Sequence, residues 1–343
     1  MPDTGDALDR SPALFLAHWP GLEVFDAAEL DRLGAITRII DRTPIGSWDD
    51  PRAGELLGEA EVIVGHWGCP PVDAGVLARA PNLGLIAYAA GTVKGVVTDA
   101  VFERGIRVTT GARANAEPVA ELTLAAILLA GKDAFWLRDL LRDPSVAAHR
   151  PIGEVPTGNW GKTIGIVGAS AVGRRVIELL RPFPHLAVAL YDPFVDEEEA
   201  ARLGVRRHED LDDLCAVADV LSIHAPDLPA TRGMIGARQL AALRTGATLV
   251  NTARGALVDH AALVAELRAG RLYAVLDVTD PEPLPEDHPL RHLPNVFLTP
   301  HVAGSMGTEL HRLAEHVIEE VRRWVAGEEA ADEVTRERLE RMA

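Results

Sequence analysis

Short apolar runs alternate with helical patterns through the middle of the chain, and this alternation limits the fold more than any other feature. Runs such as TIGIVG, LAVALYD and ATLVNTA are separated by segments with apolar residues three or four positions apart, such as VGRRVIELLRP. Strands that alternate with helices form parallel sheets covered by helices on both faces. The pattern therefore predicts an α/β fold built on a parallel sheet.

The first third of the chain repeats this theme more loosely, so we expect two Rossmann-like or flavodoxin-like parallel-sheet domains with an active-site cleft between them. A chain of 343 residues with 48% hydrophobic composition is long enough for two cores. Long helical patterns cover 117–143 and 306–327, and the second would return the chain to the first domain. We therefore expect a discontinuous substrate-binding domain of 1–115 plus 305–343 and a nucleotide-binding domain of 116–304.

Charge and composition exclude several classes of partner. The formal net charge is -17 and no cluster of Lys and Arg occurs, which argues against a nucleic-acid partner. Cys69 and Cys215 are the only cysteines and form no CxxC, so we expect no zinc site or disulfide framework. The N-terminus has no basic start and apolar run, and LTLAAILLAG is too short to cross a bilayer. We expect no membrane partner and a cytoplasmic location.

The stretch GIVGASAVG, residues 165–173, is close to the glycine fingerprint of a dinucleotide-binding turn. Gly168 and Gly173 hold the first and third glycine positions, and Ser170 replaces the second with a small hydroxyl that could donate to a phosphate oxygen. Asp192 ends the next predicted strand, where a carboxylate accepts ribose hydroxyls and repels a 2′-phosphate, so NAD (NADH) is preferred over NADP. The other interpretation is an ordinary glycine turn with a surface aspartate. The predicted pyrophosphate-binding residues are Gly168, Ser170, Ala171, Val172 and Gly173.

Three side chains suited to hydride transfer with a carboxylate-bearing alcohol follow in order: Arg254 in NTARG, Glu282 in DVTDPEPL and His301 in LTPHVAG. Each lies at or just beyond the end of a predicted strand, where ligands of doubly wound sheets collect. Taken singly, each is more simply a surface charge or a packing residue. Only their joint occurrence favours a catalytic site.

With NTARG, LDVTDPEPLPEDHPL and LTPHVAG in this order and spacing, residues 60 to 327 closely resemble the D-isomer-specific 2-hydroxyacid dehydrogenase family. The resemblance implies an NAD(H)-dependent enzyme that interconverts 2-hydroxy acids and 2-oxo acids. It implies that Arg254 binds the substrate carboxylate and polarises the reacting carbonyl. By the same resemblance His301 is the general acid and base, and Glu282 hydrogen-bonds to that imidazole, orienting and tuning it.

The resemblance also implies ligand contacts outside this triad. Asp277 matches the aspartate that holds the nicotinamide carboxamide, and AAGTV matches the glycine loop whose amides bind the substrate carboxylate. In HAPDLPATRGMIG, Asp227 and Leu228 depart from the Leu-Thr that is usual there. The implied cofactor contacts are His224, Pro226, Thr252, Ala253, Asp277 and Gly304. The implied substrate contacts are Trp67, Ala90, Gly91, Thr92 and Arg254.

The sequence leaves the 2-oxo acid and the direction of the reaction open. Phosphoglycerate-specific relatives place arginines after the strand that matches VIVGHWGCP, whereas this chain has His66 and Trp67. We therefore expect that phosphoglycerate is not the substrate and that Trp67 shapes a less charged pocket. Lys94 either contacts a second anionic group or is a surface lysine. The order of the charged tail, 328–343, is left open.

Two other functions are compatible with a fold of this kind, and one oligomeric state is expected. A NAD-sensing interaction protein, like the corepressors that resemble this fold, is the alternative to an enzyme. Formate oxidation is disfavoured because that branch of the family pairs its histidine with glutamine, where this chain has Glu282. The apolar helix that follows Asn115 makes a homodimer the expected assembly.

Overall fold

The computed structural model describes residues 11–19, 21, 23–137 and 157–342. The chain divides into two compact units. The first unit joins Met1–Asn115 to Ser305–Met342, and the second is Ala116–Gly304. Each unit is an α/β structure built on its own parallel sheet, as the alternation of apolar runs predicts. The sequence was correct about the fold class.

The first unit contains a five-stranded parallel sheet in the order β2-β1-β3-β4-β5. Its central strands are buried along their whole length, which is why they are continuous apolar runs in the sequence. The order changes direction between β1 and β3, so the carboxyl ends of these two strands form the switch point of the sheet. The strands are β1 (Ala13–Ala17), β2 (Arg38–Ile45), β3 (Val62–Gly65), β4 (Leu85–Tyr88) and β5 (Arg107–Thr110).

Helices cover both faces of this sheet and form two hydrophobic clusters with it. One cluster contains Leu33 of helix α1 (Ala27–Ile36) and three residues of helix α12 (Leu310–Val325), namely Leu313, Val317 and Val321. The amphipathic pattern at 306–327 therefore forms a helix of the first unit, although a short 3₁₀ turn, Gly307–Glu309, precedes it. The helices are α1 (Ala27–Ile36), α2 (Ala53–Glu59), α3 (Ala74–Arg79), α4 (Asp99–Glu103), α12 (Leu310–Val325) and α13 (Arg336–Arg341).

The tail whose order the sequence left open is an ordered part of the first unit as far as residue 342. Val334 is buried and its N–H donates to Val108 O (2.8 Å), while Thr109 and Glu333 form an antiparallel bridge. The buried carboxylate of Glu320 accepts the N–H of Ala331 at 3.0 Å. This segment pairs with the exposed edge of β5, which would otherwise be open to another strand.

The second unit contains a seven-stranded parallel sheet in the order β12-β11-β10-β9-β6-β7-β8. The sheet changes direction at β6, whose neighbours are β9 and β7. The strands are β6 (Thr163–Val167), β7 (Ala187–Tyr191), β8 (Arg206–Arg207), β9 (Val220–Ile223), β10 (Thr248–Asn251), β11 (Tyr273–Leu276) and β12 (Val296–Leu298). The helices are α5 (Ala112–Gly131), which begins in the first unit, α6 (Ala134–Leu137), α7 (Ala171–Leu180), α8 (Glu197–Leu203), α9 (Leu211–Val217), α10 (Ala237–Ala242) and α11 (His260–Arg268).

The long helical pattern at 117–143 is interrupted in the structure. Helix α5 starts earlier than predicted, at Ala112, and ends at Gly131, and Asp133 has a positive φ of 52° that no α-helix continues through. The last part of the predicted helix, 138–143, lies outside the described residues. Within the described ranges, every helix is too short or too polar to span a lipid bilayer.

Candidate active site

The turn after β6 is built on two glycines that no larger residue can replace. Gly168 has a φ of +95°, and a Cβ there would lie 2.7 Å from the backbone nitrogen of Ala225. A Cβ on Gly173 would lie 2.1 Å from the carbonyl oxygen of Gly168. The first turn of α7 therefore packs directly on the backbone at the carboxyl end of β6. In dinucleotide-binding folds, this arrangement lets a phosphate come close to the backbone N–H groups at the helix N-terminus.

Ser170, at the position of the missing glycine, caps helix α7. Its Oγ accepts the N–H of Gly173 at 3.3 Å, so the hydroxyl proton remains available to a phosphate oxygen. Ala171 and Val172 form the first turn behind it, and Ala171 is exposed. Serine at this position therefore keeps the helix capped and leaves its N-terminus compatible with an anion.

Asp192 directly follows β7, beside this turn. One carboxylate oxygen accepts the N–H of Ala169 (2.6 Å) and the other accepts the N–H of Phe194 (2.8 Å). These bonds fix the carboxylate next to the turn and use one acceptor position on each oxygen. The remaining lone pairs can accept two ribose hydroxyls, so the residues fit a dinucleotide here.

His224 lies under the glycine turn at the end of β9. It is 3% exposed, its backbone N–H donates to Val167 O, and its Nε2 pairs with Ser222 Oγ at 2.9 Å. Burial lowers its pKa to about 3, so the ring is neutral at pH 7. Its buried Nδ1 has no hydrogen-bond partner among the described residues. The next predicted contact, Pro226, is partly exposed, and its carbonyl accepts Thr231 Oγ1.

The NTARG segment forms a turn after β10 that is held by its own asparagine. Asn251 Nδ2 donates to Arg254 O (2.8 Å), and Asn251 Oδ1 accepts Ala253 N (3.0 Å). Thr252 is buried and shares a hydrogen bond with Thr123 Oγ1 of α5 at 2.8 Å. Thr123 also bonds to Val119 O, so the hydroxyl of Thr252 is the donor to Thr123. These bonds fix the backbone from which the guanidinium of Arg254 extends.

The guanidinium of Arg254 is partly buried and has no carboxylate partner among the described residues. Within the described ranges no carboxylate lies within 4.0 Å of it, and its own bond is to Ala253 O (2.6 Å). Burial lowers the pKa of Arg254, and the carboxylates of Asp227 and Glu282 oppose this effect from a greater distance. A buried cation is costly unless it is paired. Arg254 is therefore a candidate hydrogen-bond donor to an anionic ligand.

Gly255 lets the loop after β11 pass directly over the NTARG turn. A Cβ at this position would lie 2.0 Å from the carbonyl carbon of Thr279 and 2.6 Å from Asp280 N. Both obstacles are backbone atoms, which cannot move aside as a flexible side chain can. This close approach sets where Glu282 lies relative to Arg254.

We expect Gly255→Ala to lower the stability of the protein by about 1–3 kcal/mol, because the 279–282 backbone must shift. Gly58→Ala is the matched control, since a Cβ at Gly58 in α2 has no atom within 4 Å. Thermal unfolding of both variants checks this. Equal melting temperatures for the two variants would contradict the packing argument.

His301 and Glu282 are in direct contact. Nδ1 of His301 lies 2.6 Å from Glu282 Oε1, and the side chains are 49% and 40% exposed. When Nδ1–H donates its hydrogen bond to the carboxylate, Nε2 is the ring nitrogen that can exchange a proton with a ligand. Nε2 makes no hydrogen bond to another residue that the structure describes.

The backbone of His301 adopts a left-handed conformation, with φ of 55°. For a residue other than glycine this costs free energy and persists only where the surroundings enforce it. The enforcing residue is Asp277, 2% exposed, whose carbonyl accepts His301 N (2.9 Å). Its carboxylate accepts Thr299 Oγ1 (2.5 Å), Val302 N (2.9 Å) and Ala303 N (2.9 Å). Asp277 thus holds the loop that presents the imidazole, a role beyond the cofactor contact that the resemblance implies.

The candidate substrate residues of the first unit follow its β3 and β4 strands. Ala90 is buried, Gly91 and Thr92 are partly exposed, and Thr92 Oγ1 accepts the N–H of the exposed Lys94 at 3.4 Å. Trp67 is partly buried against both hydrophobic clusters of this unit. In the second unit, Gly304 is partly exposed at the end of the loop that carries His301.

Four residues with a positioning role escaped the sequence interpretation: Asn251, Gly255, Thr123 and Thr299. Asn251 and Gly255 belong to the NTARG motif itself, so their presence there was a usable signal. Thr299 belongs to the LTPHVAG motif in the same way, whereas Thr123 gave no signal, since its bond joins residues 129 positions apart. The described part of the second unit thus contains a glycine turn at a helix N-terminus, a guanidinium that pairs with no described carboxylate, and an imidazole oriented by a carboxylate.

Comparisons with known proteins identify a matching family model and several relatives. Residues 124–303 match the family model described as D-isomer specific 2-hydroxyacid dehydrogenase, NAD binding domain. D-3-phosphoglycerate dehydrogenase of Mycobacterium tuberculosis (strain ATCC 25618 / H37Rv) is 36% identical over 298 residues, which is 86% of this chain and 55% of the relative. The chain thus spans about half the length of such relatives.

Two further matches cover most of this chain and most of the matched protein. Glyoxylate reductase of Korarchaeum cryptofilum (strain OPF8) is 34% identical over 261 residues, 75% of this chain and 78% of the relative. The crystal structure of D-mandelate dehydrogenase from Rhodotorula graminis matches with a TM-score of 0.80 and 23% identity, covering 95% of this chain and 98% of that one. At that identity the structural match shows a shared fold alone.

Proposed function

Because the chain belongs to the D-isomer specific 2-hydroxyacid dehydrogenase family, we propose that it interconverts a D-2-hydroxy acid and its 2-oxo acid with NAD(H). The observation that carries the proposal is the contact between His301 and Glu282 at 2.6 Å, with Nε2 left available. The guanidinium of Arg254 in the same unit pairs with no carboxylate that the structure describes, and it supplies a site for the substrate carboxylate. When bound, the nicotinamide supplies or accepts the hydride.

In the direction of reduction, Arg254 binds the carboxylate of the 2-oxo acid through its planar fork and polarises the adjacent carbonyl. The carbonyl oxygen takes the proton held at Nε2 of His301 while its carbon gains the hydride, which gives a neutral hydroxyl. In oxidation Nε2 takes the proton back. Glu282 keeps the imidazole in one orientation through Nδ1, so that Nε2 is the nitrogen that exchanges the proton.

The same proposal includes the residues that hold the dinucleotide. The turn of Gly168, Ser170 and Gly173 binds the pyrophosphate and Asp192 binds the ribose. NAD is preferred over NADP because a 2′-phosphate would meet the carboxylate of Asp192, which is already fixed by Ala169 N. Further proposed cofactor contacts are Ala171, Val172, His224, Pro226, Thr252, Ala253, Asp277 and Gly304.

We expect Asp192→Asn to shift cofactor preference toward NADPH by about 10-fold or more, because the variant removes the charge that opposes a phosphate. The amide keeps one oxygen for the ribose, so NADH binding weakens without being lost. Dissociation constants for NADH and NADPH, measured by nicotinamide fluorescence, check the ratio. Asp213→Asn, an exposed aspartate of the same unit, is the control. An unchanged ratio in Asp192→Asn would remove Asp192 from the proposed cofactor site.

The reaction class is tested by mixing the protein with NADH and a panel of 2-oxo acids and following the absorbance of the reduced nicotinamide. We expect at least one 2-oxo acid to be reduced, and its product to be the D-2-hydroxy acid. NADH binding without oxidation by any 2-oxo acid would overturn the proposal and favour a NAD-sensing interaction protein.

We also propose a cytoplasmic homodimer that forms through helix α5. Leu122 and Leu129 are 37% and 44% exposed and lie seven residues apart, so they share one face of this helix. Exposed leucines on one helix face are typical of an interface between copies. Light scattering of Leu122→Glu and Leu129→Glu tests the dimer, which these charges would dissociate. Wild-type protein that is monomeric would contradict it.

A further inference from the structure

The loop between β11 and β12 carries Glu282 inside the run PEPLP, residues 281–285, which we name the proline run. Three of its five residues are proline, so only Glu282 and Leu284 have a backbone N–H, whereas every residue of the run has a carbonyl. Backbone pairing within the run therefore leaves most of these carbonyls without a donor. Side chains from outside the run supply donors instead.

Two side chains bond to the proline run, one on each side of Glu282. Before it, Thr279 Oγ1 donates to the carbonyl oxygen that directly precedes Glu282 (2.9 Å). After it, the guanidinium of Arg291 donates from Nη2 to Leu284 O (2.6 Å) and from Nε to Pro285 O (2.9 Å). These bonds fix the backbone on both sides of the residue that contacts the imidazole.

The carboxylate of Glu282 is itself held by little else. It is 40% exposed, and Nδ1 of His301 is its only hydrogen-bond partner among the described residues. Its place therefore depends on the backbone of the proline run. Leu284 and Leu290 are buried in the hydrophobic cluster of the second unit, and Arg291 directly follows Leu290. The guanidinium thus joins the proline run to a part of the loop that the core fixes.

Arg291 bonds to these carbonyls although its loop is acidic. The carboxylates of the same loop include Glu282, Glu286 and Asp287. In the part of the chain that the structure describes, no carboxylate lies within 4.0 Å of the guanidinium of Arg291. A planar group with donors at fixed angles can bond to two neighbouring acceptors at once. The contact of Arg291 with the proline run is therefore set by geometry, and no ion pair competes with it.

We propose that Arg291 is a positioning residue that acts through Glu282: its two bonds hold the proline run so that the carboxylate meets Nδ1 of His301. This inference rests on the proposed function, since it concerns how the acid–base pair of that reaction is kept in contact. Without the guanidinium the proline run gains freedom, and the contact between Glu282 and His301 is made in only part of the molecules.

Arg291→Gln removes the planar fork and leaves an amide that cannot bond to both carbonyls. We expect kcat/KM for 2-oxo acid reduction to fall by about ten-fold, because a displaced acid–base pair costs rate. NADH affinity, measured by fluorescence titration, should stay within about two-fold of wild type, because the proline run contributes no proposed cofactor contact. An unchanged kcat/KM would overturn the inference.

Arg271→Gln is the matched control. The guanidinium of Arg271 also donates to two backbone carbonyls, those of Leu240 and Leu243, but it lies before the amino end of β11, whereas the proline run follows the carboxyl end. This variant should lose thermal stability and keep wild-type kcat/KM at a temperature where it is folded. An equal loss of kcat/KM in both variants would show that Arg291 serves only the fold.

A double-mutant cycle tests whether Arg291 acts through Glu282. In a Glu282→Gln background, Arg291→Gln should change kcat/KM by less than about two-fold, because the carboxylate that Arg291 positions is already gone. The same ten-fold loss in both backgrounds would contradict the proposed route.

The ring nitrogens of His301 give a readout without substrate or cofactor. Long-range ¹H–¹⁵N NMR spectra at alkaline pH report which nitrogen of a neutral imidazole carries the proton, and His301→Asn identifies the signals. Wild type and Arg271→Gln should show the proton on Nδ1, whereas Arg291→Gln should show a mixture of both tautomers. The wild-type pattern in Arg291→Gln would overturn the inference and leave the proposed function standing. Failure to reduce any 2-oxo acid would instead count against the proposed function, while these spectra still decide the role of Arg291.

Discussion

Replacing His301 with Asn should lower kcat/KM for 2-oxo acid reduction by about 10²- to 10⁴-fold while leaving NADH affinity within about two-fold, because only the proton donor is lost. Asparagine is chosen because it tolerates a positive φ better than other residues, and His301 has a φ of 55°. The loop held by Asp277 should therefore keep its backbone. Stopped-flow measurement of NADH oxidation and fluorescence titration of NADH separate chemistry from binding.

A second histidine provides the control for this variant. His292 lies in the exposed part of the loop between Glu282 and β12, where its Nε2 pairs with Glu286 O at 3.1 Å. His292→Asn should leave turnover unchanged, since its ring serves only this loop contact. Full activity in His301→Asn would remove His301 from the chemical step.

Replacing Arg254 with Lys should lower kcat/KM for the 2-oxo acid by about 30-fold or more and leave NADH affinity nearly unchanged. Lysine keeps the charge but loses the planar fork that matches a carboxylate. Truncating one partner of a buried charged hydrogen bond costs about 2–5 kcal/mol, and every 1.4 kcal/mol is a factor of ten. Because Arg254 has no carboxylate within 4.0 Å among the described residues, the substrate is the partner that is lost.

Arg238→Lys is the matched control for this prediction. Its guanidinium is 76% exposed and pairs with Asp212 at 2.9 Å, a surface ion pair that contributes about 0–1 kcal/mol. Steady-state kinetics with a saturating NADH concentration compare the two variants. If Arg254→Lys and Arg238→Lys both kept wild-type kcat/KM, the carboxylate would be bound elsewhere.

Much of the fold could be read from periodicity. Strands such as TIGIV and TLVN are apolar along their length because both faces of a parallel sheet are covered, and the sequence shows this directly. The end of α5 was missed because local turn chemistry decides it: Asp133 takes a left-handed conformation after Gly131. The tail was undecided because its order depends on β5 and Glu320, far away in the sequence.

In the candidate site, too, the sequence motifs predicted some features, whereas others depend on contacts between residues far apart in the chain. Spacing placed Arg254, Glu282 and His301 at strand ends, and the structure brings Glu282 into contact with His301. Their roles in catalysis stay predictions. The left-handed backbone of His301 and the stacking of His18 on His66 had no local signal, because each depends on residues from another strand end.

The most direct test of hydride transfer uses NADH that carries deuterium at the transferred position of the nicotinamide C4. After incubation with phenylpyruvate and a panel of other 2-oxo acids that carry a side chain, the products are separated on a chiral column and analysed by mass spectrometry. The account predicts a D-2-hydroxy acid with one deuterium on its C2, formed in the same amount as NADH is consumed. Tight NADH binding with no deuterated hydroxy acid from any member of the panel would contradict it.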